Sequence, residues 1–156
     1  GELSGGSSPR VEALRAAFND TKASFKLSDN ILQDIWHKYL FITTLSGITT
    51  LMRSAIGPIR NAPNGKEYIL QLLEETASVM RAIDAPILDN IVSIQMETMK
   101  KQADTMKSSM LRDMEKSSPI EADQIQGYLV SLAEKHNVNI PLLKLVYNSL
   151  KVYELQ

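Results

Sequence analysis

From Tyr39 to Met52 the chain runs without a single charged side chain, bracketed by Lys38 and Arg53. Ile35, Trp36, Tyr39, Leu40, Phe41, Ile42 and Leu45 fall on nearly every side of a helical wheel, and a helix that is apolar all round belongs inside something. A bilayer span needs roughly 20 apolar residues in a row. This run is shorter, and it carries Thr43, Thr44, Ser46, Gly47, Thr49 and Thr50. It reads as the central helix of a bundle. Strand-like alternation is sustained nowhere, and the rest of the chain follows helical periods, so the expected fold is all-α with about seven or eight helices.

Punctuation residues divide the bundle. Gly1 to Ser8 is rich in Gly and Ser and reads as a linker, and a chain beginning at Gly1 is expected to be a piece of a longer protein. Over 9–156, Ser8 and Pro9 supply an N-cap and a first-turn proline, with Val11, Leu14, Ala17 and Phe18 on one face. Ser28-Asp29-Asn30 caps the central helix, which is expected to reach about Arg53. Gly57-Pro58 to Pro63-Asn64-Gly65 is dense in breakers and is expected to be a loop. Further helices are expected over about Lys66 to Ile83, Leu88 to Met99 and Thr105 to Glu115. Ser118, Pro119 and Glu121 form an S-x-x-E capping box with proline in the first turn, opening a helix to about Lys135. His136-Asn137 ends it, and Pro141 opens the last helix, Leu142 to Tyr153.

Several function classes are excluded by what is missing. The length of 156 residues fits one domain with a real core. A formal net charge of −1 argues against a surface that reads nucleic-acid phosphates. With no Cys and only His37 and His136, no metal site is expected. No G-x-G-x-x-G follows a strand, so no dinucleotide site is expected within the chain. Nothing suggests secretion or a membrane, and the expected compartment is the cytoplasm. Met96, Met99, Met106, Met110 and Met114 read as adaptable core packing.

Two residues leave alternatives open. Lys38 lies on the apolar helix, where an unpaired buried ammonium is costly. Either its stem snorkels to the surface, or burial lowers its pKa and poises it to donate a proton near neutrality. Glu121 is either the N3 partner of a capping box, in the helix's first turn, or a carboxylate with a chemical task.

Two segments bear on that choice. Asn30-Ile31-Leu32-Gln33-Asp34-Ile35-Trp36-His37-Lys38 resembles the part of the ketopantoate reductase (2-dehydropantoate 2-reductase) family that carries its catalytic lysine. Ser108-Ser109-Met110-Leu111-Arg112-Asp113, followed by Pro119-Ile120-Glu121-Ala122-Asp123 and Gly127, resembles that family's second block, S-S-M-L-x-D with P-x-E-x-D and a glycine. The resemblance covers essentially the whole chain. It implies the family's C-terminal helical domain, an architecture shared with 6-phosphogluconate-dehydrogenase-like enzymes, with an N-terminal Rossmann domain preceding it. It further implies reduction of a 2-oxo acid with NADPH, bound mainly by that other domain.

By the same resemblance, Lys38 is the proton donor, Glu121 sits where cofactor and substrate meet, and Ser109 contacts the substrate. Family members carry asparagines four and eight residues after the lysine, on its own helical face. Here those substrate-facing positions are Ile42 and Ser46, which remove two amides and leave Thr43, Thr49 and Arg53 as the nearest polar replacements. Three readings follow: a ketopantoate reductase, a paralogous hydroxy-acid dehydrogenase with another 2-oxo acid, or a helical dimerisation module without chemistry. Pairing of chains, if present, is expected on this helical domain.

Overall fold

The computed structural model describes every residue from Gly1 to Gln156, and it contains helices and no strand. The helices are α1 (Pro9–Phe18), α2 (Ile31–Leu51), α3 (Ile56–Asn61), α4 (Gly65–Ala82), α5 (Ile91–Lys101), α6 (Ser109–Glu115), α7 (Tyr128–Lys135) and α8 (Pro141–Glu154). A π-helical segment, Asp123–Gly127, runs directly into α7. α2 is the hub, packing against α3, α4, α5, α6, α8 and the π segment. Leu40, Ile48, Leu72, Leu73, Met80, Leu129 and Leu143 are fully enclosed at its centre.

Only the second half of α2 behaves as an enclosed helix. Leu40 and residues 43–50 are buried, whereas Leu32 and Ile35 are 40% and 50% exposed. Five hydroxyls lie in the buried half, and four are satisfied within the helix. Thr44, Ser46, Thr49 and Thr50 donate to the carbonyls of Leu40, Ile42, Leu45 and Ser46 at 3.0, 2.7, 2.6 and 2.6 Å. Back-bonding of this kind satisfies most of a hydroxyl-rich helix inside a core, and Thr43 Oγ1 alone among the five is left without a partner. Of the face expected to dock α1, only Val11 is buried, and Leu14 is half exposed.

The breaker-rich stretch after α2 is not all loop. Ile56–Asn61 is helical, with Pro58 in its first turn, where a missing N–H costs nothing. The free first-turn amides of Ile56 and Gly57 donate to the carbonyls of Met106 and Asp104 at 2.9 and 3.0 Å. A Cβ on Gly57 would stand 2.5 Å from that of Asp104, and one on Gly65 only 1.7 Å from the Ile59 carbonyl oxygen. These glycines serve close approach between α3, α4 and the 104–106 segment. The same contacts explain why the helix expected from Thr105 begins only at Ser109, since the carbonyls of Asp104 and Met106 are committed to α3.

The capping box is also absent. Ser118 and Pro119 are non-helical, and Ser118 uses its carbonyl to accept from the Tyr153 hydroxyl at 2.8 Å. Helical bonding starts with Ile125 N–H to the Glu121 carbonyl at 3.1 Å. The helix thus opens after Glu121, through the π segment, and a tertiary bond to α8 replaces the local cap.

Candidate active site

Helix α2, the 106–108 segment, α6 and the π segment line a half-open cavity of about 210 Å³. Its apolar wall is Ile42, Leu45, Met106, Met110 and Ile125. Ser46, Lys107, Ser108, Ser109 and Arg112 supply the polar lining. Three residues singled out in the sequence, Ile42, Ser46 and Ser109, therefore meet at one cavity although the last lies on a different helix.

Two side-chain bridges fix the walls. Gln126 is fully buried and donates from Nε2 to Ser46 Oγ at 2.8 Å and to the Thr43 carbonyl at 3.3 Å, joining the π segment to α2. Ser108 Oγ accepts from Leu111 N–H at 3.0 Å as the N-cap of α6 and bonds Thr49 Oγ1 at 2.8 Å, joining α6 to α2. Tyr39 adds a third tie, donating its phenol to the Ile125 carbonyl at 2.6 Å. Burial, with a smaller contribution from Tyr128, pushes that phenol well above the ordinary tyrosine range, so it stays a donor. Asp123 holds the outer side of the π segment to α8 by accepting from Tyr147 Oη at 2.7 Å and Lys151 Nζ at 3.0 Å. The Tyr147 hydrogen bond, then Lys151, keeps its carboxyl below the usual range.

Lys38 is exposed and forms no ion pair. Of the two alternatives for Lys38, the side chain that reaches the surface is the one found, because α2 is enclosed only from Leu40 onward. Lys38 lies one turn before Ile42, at the surface end of the stripe that enters the cavity. Glu121, also exposed, lies one turn before Ile125 on the opposite wall. Its carboxylate caps nothing. Thr43, Thr49 and Arg53 do not line the cavity: Thr43 and Thr49 are fully buried, and the Arg53 guanidinium lies 5.6 Å from the Tyr153 ring centroid.

Sequence reasoning missed Gln126 and Arg112. Gln126 could have been found as the one polar residue in the buried set Ala122, Gln126, Leu129 and Ala133, a helical period that otherwise reads as core. Arg112 carried no such signal.

Residues 30–154 match the family described as "Ketopantoate reductase PanE/ApbA C terminal". The chain belongs to the ketopantoate reductase family. It corresponds to the family's C-terminal domain, and it spans about half the length of the curated relatives it matches. It is 38% identical over 154 residues to the uncharacterised oxidoreductase YkpB of Bacillus subtilis, covering 99% of this chain and 51% of that protein. With the 2-dehydropantoate 2-reductase of Vibrio cholerae it shares 27% identity over 150 residues, 93% of this chain and 49% of the other. The fold superimposes on a dimeric ketopantoate reductase from Staphylococcus aureus with a TM-score of 0.81 at 28% identity, covering 96% of this chain and 52% of that one.

A nicotinamide dinucleotide fits these residues only at an edge. Dinucleotide sites cradle the pyrophosphate on a glycine-rich turn at a helix N-terminus after a strand, and this strandless chain has no counterpart. What it offers is the exposed Glu121 carboxylate, an acceptor suited to a ribose hydroxyl or carboxamide N–H. No cluster of three or more His, Cys, Asp or Glu is placed to hold a metal ion, and no helix is long and apolar enough to cross a membrane.

Proposed function

We propose that this chain is the substrate-holding and proton-donating domain of an NADPH-dependent 2-oxo-acid reductase, most simply a 2-dehydropantoate 2-reductase. The observation that carries the reading is the convergence of Ile42, Ser46 and Ser109 on one cavity, with Lys38 one turn above it. At about 210 Å³ the cavity suits a small metabolite, since drug-sized ligands occupy roughly 300–1,000 Å³. NADPH, when bound, supplies the hydride to the substrate's carbonyl carbon. Negative charge then develops on the carbonyl oxygen, and a cation beside it both stabilises and protonates it.

Lys38 has that task. Its exposure here agrees with a side chain that waits at an open rim and is desolvated when a second domain closes on it. Glu121 marks the opposite wall, where the nicotinamide end of the cofactor meets the substrate. Ser109 turns an unpartnered hydroxyl toward the substrate.

The test is NADPH oxidation by the longer protein that carries these residues. Ketopantoate reduction is expected, and Lys38→Ala should lower kcat by about 10²-fold or more with a much smaller change in KM. An unchanged kcat would remove Lys38 from the mechanism.

Ile42 and Ser46 favour a second reading, reduction of another 2-oxo acid. Ile42 offers no hydrogen bond, and the Ser46 hydroxyl is engaged by the Ile42 carbonyl and Gln126. Selectivity for ketopantoate should accordingly be weakened relative to unadorned branched 2-oxo acids. A preference for ketopantoate above about 10⁴-fold, the level reached by sites built around a substrate hydroxyl, would remove this second reading. Pairing of chains through this half belongs to the same proposal, supported by the dimeric relative and the exposed Leu32, Ile35, Leu145 and Val152. A strict monomer in sedimentation at high concentration would count against it.

A further inference from the structure

The polar lining of the cavity can be accounted for group by group. Ser46 Oγ donates to the Ile42 carbonyl and accepts from Gln126. Ser108 Oγ accepts from Leu111 N–H and, because the Thr49 proton goes to the Leu45 carbonyl, spends its own on Thr49. Lys107 is paired with Glu115 at 2.6 Å. Two lining side chains are left without any hydrogen bond or ion pair, Ser109 and Arg112. One is a neutral hydroxyl and the other a guanidinium, three residues further along α6, within one turn of it. Both are exposed at the rim of the cavity, and a guanidinium with no protein partner, set across from the apolar wall of Ile42, Leu45 and Ile125, is suited to a carboxylate, which it can grip through two parallel N–H bonds.

We propose that Arg112 holds the substrate carboxylate, with Ser109 beside it, and that the substrate is a 2-oxo acid whose remaining side chain is aliphatic and carries no hydroxyl. This rests on the second reading above, reduction of an unadorned 2-oxo acid, and adds to it the residue that anchors the carboxylate. The side chain lies against Ile42, Leu45 and Ile125, where a hydroxyl would find no partner: the one hydroxyl on that wall, Ser46, is already spent. Charge at Arg112 fixes the acid end. Arg112 is a binding residue here and takes no part in proton transfer.

The experiment is steady-state kinetics of the longer protein with NADPH, using 2-oxoisovalerate and ketopantoate, for wild type, Arg112→Gln and Arg112→Lys. Arg112→Gln is expected to raise KM for 2-oxoisovalerate by about tenfold or more, the scale of one charge-assisted hydrogen bond. kcat should stay within about threefold, and KM for NADPH should not move. Arg112→Lys should recover part of the loss, because it restores charge without the planar fork. With the matching 2-oxo amide, which lacks the carboxylate charge, wild type and Arg112→Gln should have similar KM.

An unchanged KM for both acids in Arg112→Gln, with wild type active, overturns the proposal and leaves the reductase reading standing. A rise confined to KM for NADPH overturns it as well, assigning Arg112 to a cofactor phosphate. A wild type that favours ketopantoate over 2-oxoisovalerate overturns the substrate class. Failure of the wild type to reduce any 2-oxo acid overturns both readings together.

Discussion

Buried side chains decide more here than exposed ones do. Glu75, on α4, is largely enclosed, and its carboxylate accepts from Leu142 and Leu143 N–H at 3.2 and 2.8 Å and from Gln71 Nε2 at 2.8 Å. It is the N-terminal cap of α8, delivered from another helix, and its charge also favours the positive end of the helix dipole. Glu75→Ala should cost about 2–3 kcal/mol in urea unfolding, the scale of hydrogen bonds to a charged group. A loss below about 0.5 kcal/mol, typical of an indifferent surface site, would show that α8 caps itself. His37 makes a pH-dependent counterpart. Its Nε2 accepts from Leu88 N–H at 3.2 Å, so the ring must be neutral, and desolvation lowers its pKa below 6.5 despite Asp34 nearby. Below 6.5 the unfolded chain therefore takes up the proton first. The stability that His37 contributes is complete above 6.5, declines as pH falls toward the folded-state value, and changes no further below it. Urea unfolding of wild type and His37→Gln across this range should give a stability difference that narrows on acidification. A constant difference would rule out the neutral-imidazole contact.

At the scale of elements, four helices stop in the same way. Arg53, Asp84, Ser117 and Asn137 take φ of 48, 54, 54 and 55°. In each case the next residue's amide reaches back: Ser54 to Thr49, Ala85 to Met80, Ser118 to Asp113 and Val138 to Ala133, at 3.1, 3.0, 2.9 and 2.8 Å. This is the closure that glycine usually makes, here made by residues that bear the left-handed strain of about 1–2 kcal/mol each. Asn tolerates that conformation, and His136-Asn137 was legible as a stop for this reason. Arg53 gave no such cue. Ser117→Gly should stabilise the domain by about 0.5–1 kcal/mol after the entropy glycine adds to the unfolded chain, read as a rise in the urea midpoint at constant slope. A lower midpoint would mean that Ser117 is held by contacts other than its backbone. The π segment is the element with most bearing on the site. It turns Ile125 to the cavity and Gln126 to α2.

Taken whole, the molecule is, on the proposed reading, one wall of a site. It has no strand and glycine-rich turn to cradle a pyrophosphate, and Lys38 and Glu121 stand exposed one turn outside the apolar lining of the candidate cavity. Calorimetry of this chain with NADPH should therefore detect no tight binding. Micromolar affinity would mean that the helices alone form the cofactor site. The exposed Leu32 and Ile35 on the surface half of α2 are consistent with a second body covering that half.

The all-α class, the central place of α2 and the positions of most helix starts follow from local physics: hydrophobic period, capping residues and prolines act over a few residues and are written in order along the chain. Pro58 and the Ser118–Glu121 box misled for the complementary reason. A proline in a first turn and a box of the right composition state what a segment can do, and tertiary hydrogen bonds to the 104–106 carbonyls and to Tyr153 decided what it does. The candidate site divides along the same line. Lys38, Ile42 and Ser46 share a stripe because a helix turns by a fixed angle, so their common face was legible. That Ser46 is spent on Gln126, that Ser109 and Arg112 are left free, and that Lys38 emerges into solvent depend on which helices enclose which half of α2. No spacing along one chain encodes that, because it is fixed only when distant segments compete for the same space and the same hydrogen bonds.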